Sequence, residues 1–178
     1  MASTPTRLMT FAEFEQLPDP VDGGRNELRH GELIVVAPPK HDHYRVQQRL
    51  RRFLEQSAGD AGEVGTEMGF RPLPDREYWY ADVAFLSRQR WDETPGRGNV
   101  QGAPELVVEV LSPSNTAAEI RDKKKLCLES GAQEFWVVDI ELREVEVFMR
   151  DGRSMTYGSG QEIPLFFGGS IAVDAIFS

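Results

Sequence analysis

Apolar residues recur along this chain with two different periods, and each change of period marks an element. From Leu106 to Leu111 the residues are apolar and mostly β-branched, broken only by Glu109. Such a run fits a strand buried on both faces. Pro113 follows closely, and with the valines it argues against a helix. Ser112-Pro113-Ser114 ends the strand. Thr116 with Glu119 three residues on is a capping box, so a helix starts there and Gly131 closes it. An earlier capping box, Thr10 with Glu13, predicts a short helix with Phe11, Phe14 and Leu17 inward, stopped by Pro18 and Pro20. Residues 26–37 form a predicted hairpin turning at His30-Gly31. Val46, Leu50, Phe53 and Leu54 recur at helical spacing and predict a helix over 43–56. Strands are predicted over 63–72, where Gly65 and Gly69 weaken or bulge the strand, and over 78–86, where Asp82 stands among apolar residues. Residues 87–103 are polar and Gly-rich and are expected to form a long loop. Strands over 135–140 and 144–149 follow. The second alternates as an edge strand does, and Asp151-Gly152 turns it into a further short strand. Residues 163–178 bring apolar residues back to the core. This order predicts helices around one mixed, twisted sheet, an α/β or α+β arrangement.

Length and charge narrow the picture. The 178 residues fit one domain over 1–178, with residues 1–20 as an N-terminal helical arm packed on it. No apolar run is long enough to span a membrane, and the start MASTPTR carries no apolar signal segment, so a cytoplasmic protein is expected. The single cysteine, Cys127, leaves no internal disulfide and no Cys-rich zinc site, and is expected to be a small core residue. A net charge of −9 argues against whole-surface affinity for nucleic acid. It leaves room for local basic surfaces, of which Arg45, Arg49, Arg51 and Arg52 form one and Arg121 with Lys123 to Lys125 another.

Two acids carry the chemistry. Asp82 and Glu109 lie inside neighbouring predicted strands, and sequential strands usually sit side by side. A buried carboxylate needs a partner, either a metal ion or a lysine or arginine. Two adjacent buried carboxylates repel, and one takes a proton unless a cation lies between them. Magnesium or manganese would satisfy both and would act on phosphoryl groups. A lysine nearby would stabilise charge on the phosphate. On a helical wheel Ile120, Cys127 and Leu128 define the inward face, to which Lys124 projects closest. Lys123 flanks that face and Lys125 points to solvent.

These residues also carry a resemblance. Gly102-x-Pro104 running into ELVVEVLSPSNT, then Glu119-x-x-x-Lys123, then GAQEFWVVD, resemble the bacterial Uma-type restriction endonuclease family, a branch of the PD-(D/E)XK nucleases. The likeness extends to NELRHGEL, the proline pair followed by His43, Gly69-Phe70 and DVAFLSRQRW from Asp82. It implies a restriction-endonuclease-like core and a Mg2+- or Mn2+-dependent endonuclease acting on DNA. Asp82 and Glu109 would be the metal-binding acids, with the Val110 carbonyl as a further ligand. Cleavage would leave a 5′-phosphate. The superfamily's usual lysine position, two residues after the second acid, holds Leu111. The family match moves that role to Lys123, which overrides the wheel and leaves Lys124 as a substrate-binding neighbour. The same match implies that Glu32 binds metal through water, that His43 contacts phosphate, and that Glu27 is structural. Two departures are packing changes: Ala81 stands where a proline usually precedes the first acid, and Cys127 where an aromatic is common. A homodimer is expected for cutting both strands, with residues 144–149 as its edge. The rival expectations are a catalytically silent nuclease fold used as a binding or assembly module, and an enzyme acting on RNA.

Overall fold

The structure is a computed structural model and describes residues 7–178, so the first six residues of the expected arm lie outside the described residues. A seven-stranded mixed sheet runs in the order β5, β3, β4, β6, β7, β8, β9. These strands are β3 (Gly62–Arg71), β4 (Trp79–Ser87), β5 (Val100–Gln101), β6 (Leu106–Val110), β7 (Glu134–Asp139), β8 (Glu144–Met149) and β9 (Ser154–Tyr157). All neighbouring pairs are antiparallel except β6 with β7 and β3 with β5. The parallel pair β6–β7 needs a crossover. Helix α4 (Ala117–Ser130) supplies it, with the Thr116–Glu119 capping box at its start and Gly131 in a left-handed conformation at its end.

Helices cover both faces. Helix α2 (His41–Ala58) lays Val46, Leu50, Leu54 and Ala58 on one face, over Val83, Val108, Trp136 and Val138. The C-terminal segment joins that core through Ile163, Leu165, Ile171, Val173 and Ile176. It forms the small hairpin β10 (Glu162–Pro164) and β11 (Ser170–Ala172), then helix α5 (Val173–Phe177). The opposite face packs Val107, Phe135, Ala84 and Leu86 against Cys127 of α4. A separate hairpin, β1 (Arg25–Arg29) with β2 (Glu32–Val36), turns at His30-Gly31, both with positive φ. That backbone is the type I′ geometry of a two-residue hairpin loop. The hairpin attaches to the molecule through a Leu28–Tyr78 bridge, and Leu28 packs with Phe11 and Phe14 of α1 (Phe11–Phe14).

Two expectations are corrected. Residues 87–103 are not one loop: helix α3 (Arg88–Glu93) and the short β5 lie within them. Trp91 is the only apolar residue of α3 and it is exposed, so no periodicity announced that helix. Strand β8 is not an edge, because β9 pairs with it. Its alternation reports two differently covered faces, and says nothing about whether a further strand lies beside it.

Candidate active site

Asp82 lies where the sheet opens. The β4–β6 ladder pairs Phe85 with Leu106, Ala84 with Val107 and Val83 with Val108, and stops there. One step further in the same register, Asp82 would face Glu109. On the other side of β4, pairing jumps from Thr66–Val83 to Met68–Ala81, which leaves Glu67 opposite Asp82 and outside the ladder. Glu67 has φ +53, a left-handed backbone uncommon for a non-glycine residue. Three acids thus share one row across β3, β4 and β6.

Side chains fill the gap that the missing ladder bonds leave. The Val110 N–H donates to Asp82 Oδ2 at 2.8 Å, in place of a backbone carbonyl. Helix α2 contributes two residues one turn apart. Gln47 Nε2 donates to Asp82 Oδ1 at 3.0 Å and to Glu67 Oε1 at 2.7 Å. His43 Nε2 lies 2.9 Å from the Val110 carbonyl and 3.2 Å from Asp82 Oδ2. From the other face, Lys123 of α4 brings its Nζ to 2.7 Å from Glu109 Oε1 and donates to the Tyr80 carbonyl. The hairpin adds Arg25, Glu27 and Arg29 from one face of β1. Arg29 pairs with the buried Glu27 at 2.7 Å, and Arg25 bridges Glu67 and Asp82 while lying over the Tyr80 ring.

The electrostatics follow from burial and proximity. Burial pushes the Glu109 carboxyl up to about 7, against the pull of Lys123. Burial also acts to raise Asp82, but the hydrogen bond and charge of His43, the Lys123 charge and the Val110 N–H together hold it below the ordinary value. For His43, burial favours the neutral ring, and Asp82, the Val110 carbonyl and Glu109 outweigh it, so its pKa is raised. Lys123 is likewise raised, since the charges of Glu109, Glu27 and Asp82 outweigh its desolvation. It therefore stays an ammonium ion at neutral pH. Burial, helped by the Glu109 charge and opposed by Lys123, pushes the Cys127 thiol up, so it stays a neutral packing residue.

Residues 11–171 match the Uma2 family, described as "Putative restriction endonuclease". The chain belongs to that family. Its fold is also that of a crystal structure of a "putative nuclease belonging to DUF820" from Anabaena variabilis. That protein is 18% identical, with 95% of this chain and 97% of the other covered and a TM-score of 0.80. Among curated proteins, none matches. In this Uma2 chain the structure brings Asp82, Glu109, Lys123 and His43 together. It does not bring in Glu32 or Lys124. Glu32 is paired in register with Arg29 on the site-facing side of the hairpin, but it lies at the turn, where it is exposed and makes no ion pair among the described residues. Glu27, further along β1, occupies the interior instead. Lys124 Nζ lies 3.6 Å from the Phe148 ring centroid, one helical position away from the site. The apolar residues of α4 are spread around the helix, so its wheel has no sharp direction. The face it buries is that of Lys123 and Cys127, spaced by four. His43 points inward as expected, yet its Nε2 is spent on Val110 and Asp82.

Three further residues went unnoticed in the sequence. Gln47 is a polar residue at the apolar spacing of α2, four after His43, and that spacing was the available signal. Arg25 announces itself only through the alternation Arg25-x-Glu27-x-Arg29. For Glu67 the flanking Gly65 and Gly69 were the only hint.

Among the described residues no three His, Cys, Asp or Glu side chains form a ready-made metal cluster. The donor set still fits a hard cation that keeps several waters. Asp82 and Glu109 supply oxygens from adjacent strands. Two buried atoms around them, Gln47 Oε1 and His43 Nδ1, have no hydrogen-bond partner among the described residues, and Glu109 Oε1 has the Lys123 ammonium. Magnesium and manganese accept such partial protein coordination.

Proposed function

We propose that this Uma2 chain is a metal-dependent endonuclease that hydrolyses the phosphodiester bonds of DNA. The observation that carries the reading is the burial of Asp82, Glu109 and Lys123 together where β4 and β6 part. Asp82 and Glu109 would hold Mg2+ or Mn2+, which when bound supplies Lewis acidity toward a phosphoryl oxygen and a more acidic water. Asp82 is oriented for this by Val110, Gln47 and His43. Glu109, whose carboxyl burial pushes up to about 7, would hold the cation in its deprotonated form. Lys123, a permanent ammonium ion, stabilises negative charge that develops on the phosphate. His43 acts here as a positioning residue. It holds the Val110 carbonyl, the atom that would otherwise be free to bind the metal.

A second reading has its own support. Asp82 already accepts from three groups, an arrangement that a catalytically silent binding module would also tolerate. Incubation of the protein with plasmid DNA, and separately with RNA, in Mg2+ or Mn2+ tests both readings. We expect DNA cleavage that chelation stops, and a loss of about 10³-fold or more in Asp82→Ala and in Glu109→Ala, with both variants still folded. Undiminished metal-dependent cleavage by both variants would remove the site assignment. Absence of turnover in the parent would favour the silent module.

A further inference from the structure

Helix α2 serves a second feature besides Asp82. A cavity of about 130 Å³ lies beside its first two turns, lined by Arg45, Arg49, Arg143, Asp42, Ile140 and Phe177. Arg45 and Arg49 stand four apart, on the same side of α2. Arg143 reaches in from the β7–β8 turn, where its φ of +55 bends the chain and its guanidinium lies 5.7 Å from the Phe177 ring centroid. Three arginines and one aspartate therefore line the cavity. None of the three makes an ion pair among the described residues, whereas Arg51 is tied to Glu55 and Arg88 to Glu63. Arg143 also lies near enough to Asp174 to act on its charge, without an ion pair between them.

The position of this cavity gives it meaning. His43 anchors the start of α2 to the carbonyl of Val110, at the C-terminal end of β6. Ile140 follows directly on β7, the parallel neighbour of β6. The cavity thus lies one strand over from Glu109 and three residues further along, on the order of 10 Å from the acids, and on the other side of α2 from His43 and Gln47. In a chain of net charge −9, a nucleic-acid strand needs local cations to stay near those acids. Arginine suits the task, because its planar fork matches phosphate oxygens.

We propose that Arg45, Arg49 and Arg143 form a phosphate subsite that holds the backbone of the nucleic-acid strand flanking the scissile bond. The inference rests on the nuclease reading and adds the path of the substrate. Contacts there are to the backbone, so they set affinity and register without reading sequence.

The test is binding of a fluorescein-labelled 12-nucleotide single-stranded DNA, followed by anisotropy in EDTA across a range of salt. The parent is compared with the triple variant Arg45→Gln/Arg49→Gln/Arg143→Gln. A charge-matched control carries Arg51→Gln/Arg52→Gln/Arg88→Gln. Each phosphate contact on a single strand contributes about 0.7 to the slope of log affinity against log salt. The subsite variant should therefore lose about 2 from that slope, and the control should keep the parent's. In Mg2+, the subsite variant should raise KM at least tenfold with kcat within about twofold of the parent. Equal loss in the control would mean diffuse attraction and would overturn the subsite, as would a parent that binds no DNA or a subsite variant with the parent's slope. Because binding is read in EDTA, metal-dependent cleavage with an unchanged slope sinks the subsite alone. Binding with the expected slope change but no cleavage sinks the catalytic reading alone. Thermal melts of all three proteins exclude unfolding as the cause.

Discussion

Glu109 is the residue on which the response to pH turns. Its unfolded value is near 4.5, and burial first of all pushes the folded value up to about 7. Between those values the folded state holds a proton that the unfolded state has released. Stability therefore falls as pH rises from 4.5 to 7, by about 3 kcal/mol at about 1.4 kcal/mol per pH unit. His43 acts in the same direction: its pKa is raised, so its contribution is complete below 6.5 and is lost as pH rises through the folded value. Asp82 acts oppositely and lower down. Its pKa is depressed, so its contribution is present above 3.8 and disappears as pH falls through the folded value. Urea unfolding in EDTA should show the parent more stable at pH 5.5 than at pH 8, and Glu109→Gln should flatten that difference. A parent equally stable at both would contradict the burial argument. Lys123→Met extends it. At pH 8 the change leaves a buried carboxylate alone and should cost about 3–5 kcal/mol. At pH 5.5 Glu109 can take up a proton, so the cost should shrink, and equal losses at the two pH values would count against the pairing.

At the scale of elements, the hairpin joins the sheet through the Leu28–Tyr78 bridge and the Arg25 pairs with Glu67 and Asp82. Its tip is held by His30, whose ring lies between Glu77 Oε1 at 2.9 Å and Asp122 Oδ2 at 2.7 Å. Asp122 precedes Lys123 on α4, so His30 links the hairpin tip to the helix that carries the site's lysine. The hydrogen bond to Asp122 is the main reason the His30 pKa is raised, and the Glu77 charge adds to it. That link is complete below 6.5 and weakens as pH rises through the folded value. Hydrogen exchange over residues 25–36, corrected for intrinsic rate, should accelerate at high pH. His30→Ala should be fast throughout, and an unchanged rate would show that the hairpin is held without the His30 link. Much of this level was legible in the sequence. The buried strands were continuous apolar runs, the capping boxes fixed two helix starts, and His30-Gly31 marked the hairpin turn. What could not be seen depends on tertiary contacts. Helix α3 is held by Arg90, which donates to the Ala103 and Gln101 carbonyls, and no local pattern encodes that. The choice of Glu27 over Glu32 depends on how the hairpin docks.

At the scale of the whole molecule, an acidic chain folds so that three of its buried acids, Glu27, Asp82 and Glu109, meet arginine, histidine and lysine side chains where β4 and β6 part. Asp82 and Glu109 could be picked out from the sequence because each interrupts an apolar strand, whereas Glu67 could not, because its left-handed backbone arises only in the folded sheet. Among the described residues no helix is long and apolar enough to cross a membrane. The proposed cation site would be made by Asp82 and Glu109, residues 27 positions apart in sequence on strands that are neighbours in the sheet. Heat unfolding of the parent and of Asp82→Ala, with Mn2+ or with EDTA at pH 8, tests it most directly. Metal at a hundredfold its dissociation constant stabilises by about 2.7 kcal/mol. For a chain of this size that should raise the parent's midpoint by about 5–10 °C, and the variant's hardly at all. No rise in the parent, even with an oligonucleotide present, or an equal rise in Asp82→Ala, would contradict the account.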